Sequence, residues 1–331
     1  MEYSYFIGID MAKLSFDMTV VDAELKFLCH SKYENTVAGV KAMIRKIKSL
    51  KIKIPEALFC VENMGSYVNN LAVASVSLEL DLSLACPLDI KKSLGITRGK
   101  NDKIDSKRIA CYAAVHYRKL KLYTPANETI KSLKMWLTLR ERLTKDKVGM
   151  GRIIEYLAAE KKLANNTKQI AFAEKQLALI VSKIEEVEKQ MVMVVKSDES
   201  INRNYDLLKS IKGVGPIIAV VMLCATDNFT KFSDCRKFAC YCGVAPFECT
   251  SGTSIQGKTE TSKIANIKIK TYFTSAALSA ITFDQQIRKY YLRKLEEGKH
   301  KASIVNAVRF KLISRCFAVI RRGQPYVALQ L

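Results

Sequence analysis

The sequence predicts an α/β domain at the N-terminus, long helices in the centre and a mostly α-helical region at the C-terminus. Short apolar runs of strand length fill the first part of the chain and then alternate with segments of helical period. Strong helix formers dominate the stretch between Pro125 and Pro216, which contains no proline. These changes divide the chain into three predicted domains, residues 1–125, 126–204 and 205–331.

The first region opens with three apolar runs, FIGID, FDMTVVD and LKFLCHS. Only a few polar residues separate these runs, which predicts a three-stranded antiparallel meander. The next four segments predict helix, strand, helix and strand in turn: VAGVKAMIRKIKSL, ALFCVEN, GSYVNNLAVASVSL and LSLACP. This order fits an α/β sheet of the ribonuclease H type better than a doubly wound nucleotide-binding fold, which would begin with a strand-helix unit and a Gly-rich turn.

A polar segment, DIKKSLGITRGKNDK, comes next and is predicted to be a loop before the helix IDSKRIACYAAVHY. Farther along, apolar residues recur at alternating steps of three and four, which is a heptad pattern. They are Ile170, Ala173, Leu177, Ile180, Ile184, Val187, Met191 and Val194. We expect a coiled coil or helical hairpin that pairs subunits; the alternative is an amphipathic helix packed on its own domain.

The C-terminal region is predicted to begin after a polar break at Lys196 to Asn204. Its first segment, LLKSIKGVGPIIAVVML, has the composition of helices joined by a Gly-rich turn. Further helices are predicted from about Ile264 to Leu278 and from about Ser303 to Arg321. The third region is therefore predicted to be mostly helical.

The charge balance indicates a polyanionic partner. Lys and Arg number 54 against 32 Asp and Glu, which gives a net charge of +22. Nucleic acid is the expected ligand, and a cationic surface without a specific ligand is the alternative. No run approaches about 18 uninterrupted apolar residues, which argues against a membrane protein. The N-terminal segment MEYSYFIGIDMAK lacks the plan of a signal peptide, so we expect a cytoplasmic, nucleoid-associated protein.

Four carboxylates from three elements predict a metal site. Asp10 ends the first predicted strand and Glu62 ends another, and these two strands are neighbours in ribonuclease H topology. Asp102 and Asp105 share one face at the start of a predicted helix. Carboxylate oxygens are the ligands that Mg2+ prefers, and two such ions support phosphodiester chemistry.

Each acid also has a structural interpretation when it is taken alone. Asp102 suits a helix N-cap, Asp105 suits the first turn of a helix, and Glu62 suits a surface position at a strand end. The structural interpretation is weakest for Asp10, because a carboxylate beside an apolar strand is costly without a cation.

Two C-terminal motifs and one basic segment are candidates for nucleic-acid contact. Lys212, Gly213 and Gly215 lie in a turn whose amides can meet a phosphate, and a purely structural turn is the alternative. The segment GVAPFECTSGTSIQGKTETSKIAN is interpreted as a hydroxyl-rich surface loop, with Lys258 and Lys263 placed to offset phosphate charge. The basic candidates around the D-x-x-D motif are Lys100, Lys103, Lys107 and Arg108.

The chain resembles the DEDD insertion-sequence transposases, relatives of the Piv-type DNA invertases. FIGIDMAKLSFD, CVENMGSYVNNLA and RGKNDKIDSKRIACYA resemble the three acidic blocks of that family. IKGVGPIIAVVML, FACYCGVAPFECTSGTSIQGK and KHKASIVNAVRFKLISRCFAVIRRGQPY resemble its C-terminal transposase domain. The resemblance covers nearly the whole chain, although the heptad region matches in character more than in residues.

The resemblance implies a ribonuclease H or RuvC-like domain whose acidic tetrad falls on Asp10, Glu62, Asp102 and Asp105, with Mg2+ as cofactor. It also implies a nucleophilic serine, which falls on Ser251, with Ser254 in reserve. Members of the family studied so far are directed by a bridge RNA, so the expected partners are donor and target DNA, a guide RNA and further copies of the chain, as a dimer or tetramer. Two other functions stay open: a two-metal junction-resolving nuclease that uses water, and a non-enzymatic nucleic-acid-binding assembly protein.

Overall fold

The computed structural model describes residues 2–93, 102–125, 127–160, 166–251, 255–262 and 264–327. The chain forms two compact units, Met1–Pro125 and Ala126–Leu331. None of the described helices is long and apolar enough to cross a membrane.

The first unit is built on a five-stranded sheet in the order β3-β2-β1-β4-β5. The first three strands form the predicted antiparallel meander, and β4 and β5 add parallel to β1, which confirms the predicted strands. The pairing of β1 with β4 is the neighbour relationship expected for the ribonuclease H type. The strands are β1 Tyr5–Met11, β2 Ser15–Asp22, β3 Phe27–Glu34, β4 Ala57–Glu62 and β5 Leu82–Ala85.

The described residues of this unit form four α-helices: α1 Val37–Ser49, α2 Asn69–Ser77, α3 Pro87–Ser93 and α4 Asp102–His116. Two predictions need correction here. The helix predicted from Gly65 begins four residues later, after a 3-10 turn, because Gly65 has a φ of +69° that a regular helix does not allow. The segment predicted as a loop begins with α3, which starts at Pro87 and buries Ile90. Residues 94–101 of that segment lie outside the described residues.

The two faces of β1 belong to two different hydrophobic clusters. Ile7, Ile9 and Met11 pack with residues of α1 and α2 on one face. Phe6 packs with Ile109, Ala110 and Ala113 of α4 on the other face. Because side chains alternate along a strand, Gly8 and Asp10 also lie on the α4 side. The sheet therefore presents Asp10 to the helix that carries the D-x-x-D motif.

The second unit begins with two long helices, α5 Glu128–Glu160 and α6 Thr167–Lys196, as the composition predicted. The two helices pack against each other as a hairpin, and Arg140 Nε donates to Glu188 Oε1 across it at 2.6 Å. None of the eight predicted heptad positions is exposed, and Ala173, Ile184, Val187 and Met191 are buried. The seam thus faces the protein's own interior along the hairpin, and the pairing of subunits through it stays a prediction.

Six further helices and one β-hairpin complete the described part of the second unit. The helices are α7 Glu199–Lys209, α8 Pro216–Thr226, α9 Cys235–Tyr241, α10 Ile267–Phe283, α11 Gln285–Glu296 and α12 Lys301–Arg322. The hairpin consists of β6 Pro246–Ser251 and β7 Ile255–Thr261. The hydroxyl-rich segment predicted to be a surface loop therefore belongs largely to this hairpin.

The polar break predicted at Lys196 to Asn204 is shorter in the structure than predicted. The interruption is only Ser197 and Asp198, and the Asp198 side chain accepts from the amide of Ile201 as the N-cap of α7. The predicted boundary at residue 205 falls inside α7. Ile130 and Leu133 of α5 belong to the same hydrophobic core as α7 and α8. The domain boundary between residues 204 and 205 stays a prediction.

Candidate active site

The acidic residues predicted for a metal site lie on three elements of the first unit that the fold brings together. Asp10 lies near the end of β1, and Glu62 is the last residue of β4. Ile9 pairs with Val61, so Asp10 and Glu62 are the next residues on two parallel neighbouring strands. Asp102 and Asp105 occupy the first turn of α4, which packs on this face of the sheet.

The close approach of α4 to β1 depends on Gly8. A Cβ atom at residue 8 would overlap the carbonyl oxygen of Ser106 and the amide nitrogen of Ala110. A buried hydrogen bond of 2.8 Å between the hydroxyls of Thr19 and Ser106 ties the same turn of α4 to β2. The helix backbone therefore lies directly on the sheet, one residue after Asp105.

Asp10 is surrounded by negative charge. The pKa of its carboxyl is raised from 3.8 to about 6, first by burial and then by the charges of Asp105, Asp102, Glu62 and Asp17, in that order. A carboxylate in such surroundings is costly to ionise unless a cation offsets the repulsion. The electrostatics of Asp10 therefore favour the binding of a cation at this end of the sheet.

Two basic side chains already neutralise part of the cluster. Lys32 Nζ donates to Asp102 Oδ2 at 3.5 Å, and Arg108 Nη1 donates to Asp105 Oδ1 at 2.8 Å. Among the described residues, no three His, Cys, Asp or Glu side chains are gathered as a ready set of metal ligands. The ion pairs explain why these acids are not gathered around one point, because they hold Asp102 and Asp105 toward Lys32 and Arg108.

Asp17 is an acidic neighbour of the site that the sequence analysis missed. It pairs with Asp10 across β1 and β2 and is only 5% exposed. His30 Nε2 lies 2.9 Å from its Oδ1, and Lys32 Nζ lies 3.3 Å from its Oδ2. The register of the meander places Lys32 opposite Asp17 and Asp17 opposite Asp10. Counting residues across the predicted meander would have shown that Asp10, Asp17 and Lys32 lie side by side on three neighbouring strands.

The basic residues predicted around the D-x-x-D motif have different surroundings. Lys103 and Lys107 are exposed on α4, and their Nζ atoms lie 5.8 Å and 6.0 Å from the ring centroid of Phe27. Arg108 forms the ion pair with Asp105. Lys100 lies outside the described residues. Lys103 and Lys107 are thus the members of this group that present charge to solvent beside the acidic cluster.

The predicted Gly-rich turn joins α7 to α8. Gly213 has a φ of +93°, and a Cβ atom there would lie 2.7 Å from the carbonyl oxygen of Ala276. Gly215 is the N-cap of α8, Pro216 follows at the first helical position, and nothing lies within 4 Å of a Cβ at Gly215. Close packing therefore explains why residue 213 is a glycine. The space beside Gly215 and the exposed Lys212 leave room for a ligand.

The candidate nucleophile lies in the second unit. Ser251 is the last residue of β6 and pairs with Ile255 at the end of the hairpin. Lys258 belongs to β7. Ser254 and Lys263 lie outside the described residues. The hairpin thus positions the backbone of Ser251 at its closed end.

Comparison with known proteins gives two matches to family models. Residues 7–160 match a transposase model of the DEDD type found with IS110. Residues 205–292 match a model described as the transposase of the IS116/IS110/IS902 family. The first match includes all four acids, and the second includes Ser251.

Individual relatives agree with these matches. The chain is 24% identical over 330 residues to a pilin gene-inverting protein of Moraxella bovis, covering 97% of both chains. A pilin gene-inverting protein of Moraxella lacunata has the same identity and coverage. An uncharacterized 43.6 kDa protein of insertion element IS110 from Streptomyces coelicolor is 33% identical over 121 residues, which is 36% of this chain and 29% of that protein.

Proposed function

Because the chain belongs to the IS110-type family of transposases, we propose that it is a Mg2+-dependent DNA recombinase that joins strands through a phosphoserine intermediate. The family membership makes it a DNA-rearranging enzyme, and the proposal concerns its chemistry. The Moraxella relatives are named for inverting a pilin gene, which is a rearrangement of the same general kind. The observation that carries the metal-dependent half of the proposal is the position of Asp10 among four other carboxylates.

The residues that would hold the metal are Asp10, Glu62, Asp102 and Asp105. All four offer hard carboxylate oxygens, which suit Mg2+. When bound, Mg2+ would supply charge stabilisation for the attacking and leaving oxygens of a phosphodiester. Their arrangement on two strand ends and one helix turn lets the acids approach a common point once Asp102 and Asp105 leave their ion pairs.

Ser251 is the proposed nucleophile. Its hydroxyl oxygen attacks the phosphorus of the scissile phosphodiester, a bond from phosphorus to that oxygen forms, and the bond to the leaving sugar oxygen breaks. The proton of the serine hydroxyl is released, and the leaving sugar oxygen takes up a proton. In the second step a sugar hydroxyl of a new strand attacks the same phosphorus and displaces Ser251, so the number of phosphodiester bonds is conserved.

The partners of this reaction are donor and target DNA and a guide RNA. The net charge of +22 suits both kinds of nucleic acid. Lys103, Lys107 and Lys212 are the described basic candidates for backbone contact, together with Lys258 in β7. We further propose that the chain acts as a homo-oligomer, a dimer or tetramer.

A recombination assay on single acid variants tests the metal-dependent half of this proposal. Asp10→Asn, Glu62→Gln, Asp102→Asn and Asp105→Asn should each lower strand exchange between donor and target DNA by at least about 100-fold, because each removes a charged ligand. Asp89→Asn, which changes an exposed acid of α3 in the same unit, is the matched control and should retain activity. Full activity in Asp10→Asn would contradict the proposal.

The same assay separates the alternatives. DNA that is cut without forming joined products, in a reaction that survives Ser251→Ala, would indicate a nuclease that uses water. Strand exchange that all four acid variants retain would indicate a nucleic-acid-binding protein that assists another enzyme.

A further inference from the structure

Two half-buried basic side chains on neighbouring helices of the second unit have no acidic partner among the described residues. Lys270 belongs to α10 and Arg309 to α12, and the charge of Arg309 acts directly on Lys270. Among the described residues, no carboxylate lies within ion-pairing distance of either side chain. All 32 Asp and Glu residues of the sequence are among those described, so no acidic side chain is left to pair with them.

The surroundings of both side chains are unfavourable for charge. Both are half-buried, and the Nε atom of Arg309 is buried without a hydrogen-bond partner. Burial lowers the pKa of Arg309, and burial together with the charge of Arg309 lowers the pKa of Lys270. Proteins seldom bury charged groups without a partner, because the loss of solvation destabilises the fold. A bound anion would remove this cost.

Hydrogen bonds fix both cations at the base of the β6–β7 hairpin. Lys270 Nζ donates to Thr261 Oγ1 at 3.2 Å, and Thr261 is the last residue of β7. Arg309 Nη1 donates to Asn306 Oδ1 at 3.1 Å, while Asn306 Nδ2 donates to the carbonyl of Val244 at 2.8 Å, two residues before β6. The pair is therefore held on both sides of the hairpin base and does not extend freely into solvent.

We propose that Lys270 and Arg309 form a binding site for a backbone phosphate of the nucleic acid that reaches Ser251. Pro246 pairs with Thr261 at the base of the hairpin, and Ser251 pairs with Ile255 at its other end. Five residues of extended strand separate these ends, or about 17 Å at ~3.3 Å per residue. That length corresponds to about five base steps of duplex DNA, so one nucleic acid can engage both ends of the hairpin.

The chemistry of the pair suits a phosphodiester. A guanidinium offers several donors to phosphate oxygens, and a lysine ammonium adds a point charge. The Asn306 side chain accepts a hydrogen bond from Nη1 of the guanidinium and so fixes the orientation of Arg309. This inference rests on the proposed function for one point only, that the ligand is a phosphodiester backbone. It does not depend on the chemistry of the acidic cluster.

Binding and stability measured on the full-length protein test this inference. Fluorescence anisotropy would follow labelled single-stranded DNA, duplex DNA and RNA, for wild type, Lys270→Met and Arg309→Met. Each variant should bind at least one of these three nucleic acids roughly tenfold more weakly than wild type, because a hydrogen bond to a charged group is lost. The slope of log K against log salt should fall by about one. The nucleic acid whose affinity falls in the two variants identifies the bound backbone as DNA or RNA.

Lys268→Met is the matched control, because it removes one positive charge from the same helix. Lys268 Nζ is already paired with Glu141 Oε2 at 2.9 Å, so this variant should bind like wild type. Thermal unfolding without ligand distinguishes a binding role from a structural one. Lys270→Met relieves repulsion and burial of charge, so its Tm should equal or exceed that of wild type.

Binding that Lys270→Met and Arg309→Met leave unchanged would overturn the inference, and so would weaker binding accompanied in both variants by a Tm several degrees below wild type. A wild-type protein that binds none of the three nucleic acids would contradict the proposed function itself. The wild-type protein could also fail to recombine DNA while both variants bind nucleic acid more weakly, as expected. That result would support the phosphate site and contradict only the proposed recombination chemistry.

Discussion

The carbonyl oxygen of Ser106 occupies the space that a side chain at Gly8 would need. This contact between a helix backbone and a strand backbone sets the height of α4 above the sheet. Gly8 lies two residues before Asp10, and Ser106 directly follows Asp105. The spacing of the acidic cluster therefore depends on the absence of one Cβ atom.

Gly8→Ala should destabilise the protein by about 1–3 kcal/mol, because an overlap with backbone atoms forces α4 away from the sheet. Urea unfolding of the purified protein measures this change. Gly149→Ala is the control, since nothing lies near a Cβ in the middle of α5 and alanine favours a helix. A Gly8→Ala protein as stable as wild type would show that α4 does not rest on β1 in the way described.

Asp10→Asn should stabilise the metal-free protein at pH 8. The pKa of Asp10 is raised from 3.8 to about 6, so the folded protein holds this proton more tightly than the unfolded chain. Ionisation of Asp10 therefore costs stability as the pH rises from about 4 through 6. In EDTA, the variant should melt a few degrees, about 2–4 °C, above wild type at pH 8, and the gap should close near pH 4.

Asp89→Asn provides the comparison for that experiment, because it removes an exposed acid outside the cluster. Its Tm should follow that of wild type at every pH. A gap between Asp10→Asn and wild type that is absent at pH 8, or that widens toward pH 4, would contradict the electrostatic account of the cluster.

Lys32→Gln should lower the Mg2+ concentration needed to raise the Tm by several-fold. The Lys32 ammonium bonds to Asp102 and competes with a metal for that carboxylate, and its removal also reduces the local positive charge. A thermal-shift titration with MgCl2 measures the midpoint. Lys26→Gln, at an exposed position before β3, is the control. An unchanged or higher midpoint in Lys32→Gln would show that Lys32 does not compete with the ion.

Gly213→Ala should be the more damaging of two substitutions in the α7–α8 turn. Its φ of +93° and its contact with Ala276 and Ala280 leave no room for a side chain, so about 2 kcal/mol or more should be lost. Gly215→Ala meets open space and should cost less than about 1 kcal/mol. Chemical denaturation of both variants compares them, and equal losses would contradict the assignment of a packing role to Gly213.

The strands and the four acids of the first unit were predictable because their signals are local. An acid at the end of an apolar strand, as in Asp10 and Glu62, can be recognised from a few neighbouring residues. Asp17 and Lys32 were missed because their role depends on pairing register across β1, β2 and β3, which no single segment records. The ion pairs of Asp102 and Asp105 likewise depend on side-chain positions.

The errors in the second unit have similar causes. Helix α11 was missed because the segment QQIRKYYLRKLE is strongly polar and buries only Ile287. The β6–β7 hairpin was taken for a loop because its hydroxyl-rich sequence lacks the apolar alternation of a half-buried strand. The break before α7 was overestimated because Asp198 and Glu199 mark a helix start, although they also have the polar composition of a linker.

In the proposed reaction, Ser251 forms a covalent bond with DNA, and this step depends on the acidic cluster. The most direct measurement incubates end-labelled donor and target DNA with the protein, guide RNA and Mg2+, and then detects protein-bound label after denaturing electrophoresis. We expect an adduct in wild type that Ser251→Ala and Asp105→Ala both abolish, and a labelled peptide containing Ser251. An adduct that persists in Ser251→Ala would contradict the nucleophile, and one that persists in Asp105→Ala would contradict the role of the acidic cluster.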